Sequence, residues 1–82
     1  MNNHTTASIL ARTTHSARIT GPIPYVRGDG KVSRLPLGPC LVERVGSDQV
    51  DIVWGTQGQN SAALPYESVR AAAGQGHLVL LD

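Results

Sequence analysis

The chain has 82 residues, a formal net charge of +1, 40% apolar residues, 16% charged residues and no Phe. Such a length allows one small domain with a thin core, because a chain this short buries only about 60% of its unfolded surface. A single cysteine, Cys40, excludes an internal disulfide, and no apolar run approaches the roughly 18 residues that a membrane span needs.

In chain order, residues 1–20 come first, rich in Thr, Ser and Asn and poor in large apolar groups. They are expected to form a disordered basic arm, because they bury too little surface to offset chain entropy. Gly21-Pro22-Ile23-Pro24 reads as a hinge at the start of a domain over residues 21–82. Its prolines fix φ and hold the residues before them extended. Tyr25-Val26-Arg27 and Lys31-Val32-Ser33-Arg34-Leu35 are short extended pieces joined by a Gly28-Asp29-Gly30 turn, whose glycines tolerate positive φ. Pro36 and Pro39 place residues 35–39 at a sheet edge or in a loop.

The strongest pattern lies between residues 40 and 54. Cys40 to Val45 and Val50 to Trp54 read as strands around a Gly46-Ser47-Asp48-Gln49 turn, with Val50, Ile52 and Trp54 on one face at period two. Ser61-Ala62-Ala63-Leu64 is expected to add a third strand. A short helix is predicted from Pro65 to Ala73: Pro suits the first helical position, Glu67 the positive N-terminal end, and Gly74 the stop. Its inward side would carry Tyr66, Val69 and Ala73. A final strand runs from His77 to Leu81. The expected fold class is mainly β: a small SH3-like barrel or β-meander of about five short strands with one short C-terminal helix, preceded by the N-terminal arm.

No catalytic, cofactor or metal site emerges. His4, His15, His77 and Cys40 are scattered and lack the spacing of a structural zinc site. Gly28-Asp29-Gly30-Lys31 fails as a phosphate loop, because Tyr25 stands where its first glycine is needed and Val32 where Ser or Thr is needed. Cys40, between Pro39 and Leu41-Val42, reads as a small buried hydrophobe rather than a nucleophile served by His77. Glu43, Asp48 and Asp51 read as solvated strand and turn residues that also blunt edge pairing.

Charge is divided unevenly. Arg12, Arg18, Arg27, Lys31 and Arg34 stand against Asp29 alone up to residue 34, whereas Arg44 and Arg70 face Glu43, Asp48, Asp51, Glu67 and Asp82 beyond it. The leading expectation is a small non-enzymatic binding or regulatory module of the cytoplasm. It would recognise a protein partner through Tyr25, Arg27, Arg34, Trp54 and Tyr66, because Tyr and Trp are enriched where proteins meet. The alternative is a nucleic-acid-binding protein whose Arg12, Arg18, Arg27, Lys31 and Arg34 contact phosphates. The two tyrosines and one tryptophan are few for stacking along a single strand. A thin core also leaves a homo-oligomer open. A small barrel with a disordered N-terminus is similar in architecture to the type II dihydrofolate reductases, which share one active pore among several chains. Ala62-Ala63-Leu64-Pro65-Tyr66 is the stretch nearest that family's Val-Gln-Ile-Tyr string, and it lacks the Gln. That resemblance implies an oligomeric enzyme as a minor third reading.

Overall fold

The computed structural model of the chain describes residues 14–81. In order they form β1 (Thr14–Ile19), β2 (Pro24–Val26), β3 (Val32–Arg34), β4 (Gly38–Val45), β5 (Gln49–Trp54), β6 (Asn60–Pro65), α1 (Tyr66–Gly74) and β7 (Leu78–Leu80). Five strands make one antiparallel sheet in the order β6-β5-β4-β1-β7, and β2 and β3 make a separate two-stranded ribbon. The fold is mainly β, and β4, β5 and β6 form the expected meander. The sheet stays open rather than closing into a barrel, with β6 and β7 at its two edges. Helix α1 contacts both edge strands, bridging the gap that a closed barrel would fill with hydrogen bonds.

The largest departure from expectation is β1. Residues 14–19 were expected in the disordered arm, yet they form a strand flanked on both sides, by β4 and β7. The physical reason is economy: Ala17 and Ile19, each 1% exposed, supply the inward side chains. The flanking strands satisfy the backbone, so the intervening polar residues need only face outward. Residues 1–13, including Arg12, lie outside the described residues.

Gly21-Pro22-Ile23-Pro24 is likewise no free hinge. Thr20 donates its N–H to the His77 carbonyl at 2.8 Å and its hydroxyl to the Gly76 carbonyl. His77 Nδ1 lies 3.0 Å from the Pro22 carbonyl oxygen. The His77 ring rests directly on Gly21, where any Cβ would collide with it.

One sheet face carries the core. Ala17, Ile19, Cys40, Val42, Val50, Ile52, Ala62, Leu64 and Leu78 are buried together with Val69 and Ala72 of α1. The expected inward set on the helix needs one change: Ala72 is buried, and Ala73 is exposed. The buried stripe centres on Val69, with Ala72 on one side and the half-buried Tyr66 on the other.

The β2–β3 ribbon pairs Pro24 with Arg34, Tyr25 with Ser33 and Val26 with Val32. It does not hydrogen-bond to the main sheet but is rooted in the core. Ile23 and Leu35, each 3% exposed, are joined at its base by a 3.0 Å bond from the Leu35 N–H to the Ile23 carbonyl. Its far end projects, leaving Val26 66% and Val32 70% exposed.

Candidate interaction surface

The face of the sheet opposite the core should be polar if alternation were strict. Here it is not. Register places Ser16, Leu41, Val53 and Ser61 in one row across four strands, and Leu81 joins the row by donating its N–H to the Ser16 carbonyl at 2.8 Å. Leu41 is 44% and Leu81 58% exposed. Because β4 and β5 run antiparallel, Pro36, Leu37 and Pro39 and the stretch from Trp54 to residue 58 lie on the same side of this row, and both line the space beside it. The result is an open groove of about 740 Å³. Among the described residues its lining contains no lysine, arginine or carboxylate.

Charged residues bracket the apolar row. On one side Glu43 and Asp51 stand directly opposite each other on β4 and β5, flanked by Thr14 and Ala63. Both residues are half-buried, and like charges placed directly across two strands are unfavourable. On the other side Arg18 lies between Pro39 and Val79.

Two of the five residues expected to meet a partner are brought together. Tyr25 and Trp54 meet edge to face, with ring centroids 6.1 Å apart at 68°, and both pack on the core. Trp54 thus touches the ribbon and also lines the groove. Arg27 and Arg34 belong to the same ribbon. Arg27 pairs with Asp29 at 3.4 Å, and Arg34 stands opposite Pro24. Lys31 donates its backbone N–H to Asp29 Oδ1 at 3.0 Å, closing the turn. Tyr66 is the exception. It follows the Gln49–Pro65 end of the β5–β6 pair, whereas Trp54 sits at the Asn60 end, about 17 Å away at the usual strand rise. There Tyr66 lies beneath the Arg44 guanidinium, 3.9 Å from the ring centroid. The aromatics therefore form two sites rather than one surface.

Sequence reasoning missed the groove residues Leu37, Leu41, Val53 and Leu81. The signal was present: Leu41 and Val53 are apolar at positions that alternate with Cys40, Val42, Ile52 and Trp54, so both faces of β4 and β5 carry large apolar groups.

Cys40 is buried on the core face, opposite Ala17. Burial pushes its thiol above the ordinary value by disfavouring the charged thiolate, which is the wrong direction for a nucleophile. Its proposed base, His77, is engaged at Pro22 and Gly21. Among the described residues no group of three or more His, Cys, Asp or Glu is placed to hold a metal ion. No helix among them is long and apolar enough to cross a membrane.

No protein-family model matches this sequence, and no curated protein or solved structure shows significant similarity to it.

Proposed function

We propose that the protein is a small non-enzymatic binding module that recognises a short apolar segment of a partner protein in the groove on its outer sheet face. The observation that carries this reading is the apolar cluster of Leu37, Leu41, Val53, Trp54 and Leu81 lining one groove, with Leu37, Leu41 and Leu81 left exposed on a domain with little apolar surface to spare. Contiguous exposed apolar surface of this kind marks interaction sites. The Trp54–Tyr25 contact supplies a fixed aromatic wall, the type of anchor that dominates interface energetics. The flanking Glu43–Asp51 pair favours a partner with a Lys or Arg beside its apolar residues, because one cation there relieves the repulsion between the two carboxylates. Arg27 and Arg34 lie on the ribbon that Tyr25 joins to Trp54 and stand outside the groove lining, so they are not assigned to this surface.

Selection of random peptides displayed on phage against the whole chain tests this reading. Recovered peptides should carry an apolar run next to a basic residue. They should bind Leu41→Glu at least tenfold more weakly, and Val32→Ala (on the projecting ribbon tip) unchanged. Peptides without that pattern, or peptides indifferent to Leu41→Glu, would refute the assignment.

A further inference from the structure

A second cleft lies on the core face, between α1 and the Thr14 end of the sheet. Val42, Arg44, Val50 and Leu80 line it from the sheet, and Tyr66, Val69 and Arg70 from the helix. Its volume is about 500 Å³, within the range of about 300–1,000 Å³ typical of small-ligand sites. The nine-residue helix is too short to cover this end of the face. Leu80 shares its face with Ala17, yet Leu80 is 52% exposed while Ala17 is 1% exposed.

The charge of the cleft is one-sided. Arg44 approaches from β4 and Arg70 from α1, His15 also lines it, and no carboxylate among the described residues does. Among the described residues neither arginine has a carboxylate at ion-pair distance. Arg44 is held in place: its guanidinium lies over the Tyr66 ring at 3.9 Å and donates to the Ser47 carbonyl at 2.9 Å. That uses one of its five N–H donors and leaves others for a ligand. A fixed guanidinium beside an apolar floor is a preorganised site for an anion, because its ordering cost is already met by the fold.

The geometry points to a binding site for a small organic anion, a carboxylate carried on an apolar body. Arg44 and Arg70 hold the head group, and Val42, Val50, Val69 and Leu80 enclose the chain. This site is separate from the outer groove and does not depend on that reading.

The test is an amide-resolved NMR titration of the full chain with octanoate, with octanol and acetate as controls. Octanoate should saturate, with shifts concentrated at Arg44, Tyr66, Val69 and Arg70. Octanol, which lacks the charge, and acetate, which lacks the body, should each bind at least tenfold more weakly. Arg70→Glu and Arg44→Gln should each weaken octanoate about tenfold while preserving the spectrum of the fold. Ala73→Trp, which fills the cleft from an exposed helix position, should abolish binding. Equal binding of octanol and octanoate, shifts centred on the outer groove, no saturable octanoate binding, or indifference to Arg70→Glu would each overturn the proposal.

Discussion

Gly21 and His77 show how single residues hold the ends of this fold together. The ring of His77 occupies the space where a side chain at position 21 would stand, and its Nδ1 is bound to the Pro22 carbonyl. Neither can shift without disturbing the junction of β1, the ribbon and β7. Gly21→Ala should therefore destabilise the protein by about 1–3 kcal/mol, the usual cost of forcing a methyl group into a filled site. Urea denaturation of the two proteins reads this directly, and equal midpoints would contradict it. Cys40 makes a second residue-scale prediction. Its thiol is raised by burial, so iodoacetamide should alkylate the native protein at neutral pH far more slowly than the urea-unfolded chain. The sign for stability follows from linkage. Above the ordinary thiol value the native state keeps a proton that the unfolded state has released, so stability is intact below that value and declines as pH rises through it.

The elements of this molecule depend on anchors more than on intrinsic propensity. The three-residue strands of the ribbon are held through Ile23 and Leu35 at the root, while the Val26–Val32 pair at the tip touches little. Leu35→Ala should cost about 2–5 kcal/mol, as for other buried leucines. Val32→Ala, at 70% exposure, should change stability by no more than about 0.5 kcal/mol. Comparable losses at both positions would mean that the ribbon is fixed by contacts other than its root. On the outer face, Asp51→Asn removes one charge from the facing pair. It should stabilise the free domain by about 0.2–1 kcal/mol while weakening basic, apolar peptides. A destabilised free domain would show that the two carboxylates do not oppose each other. Element scale is also where the sequence was most and least readable. The strands from Cys40 to Leu64 and the helix after Pro65 could be read because alternation, turn glycines and an N-terminal proline agree there. β1 could not, because Thr14, Ser16 and Arg18 outnumber its inward apolar residues. Only the pairing with β4 and β7, a long-range fact, reveals it as a strand.

At the scale of the whole molecule, the open sheet presents two unlike surfaces. The outer face presents an apolar row bracketed by charge, and the end of the core face beyond α1 presents two arginines over an apolar floor. Composition could not separate them, because the sequence places Tyr25, Trp54 and Tyr66 in one set of aromatics. Only the strand register shows that Tyr66 lies at the far end of β5 and β6 from Trp54. The groove was legible only in retrospect, through apolar residues at alternate positions that a one-face reading assigns to solvent. The most direct test is an amide-resolved NMR titration of the full chain with the strongest peptide recovered by display. The account predicts shifts at Leu41, Val53, Trp54, residues 55–58 and Leu81, with the ribbon tip and the exposed side of α1 unchanged. Shifts confined to Arg27, Lys31 and Arg34 would contradict it and make the basic ribbon the binding site.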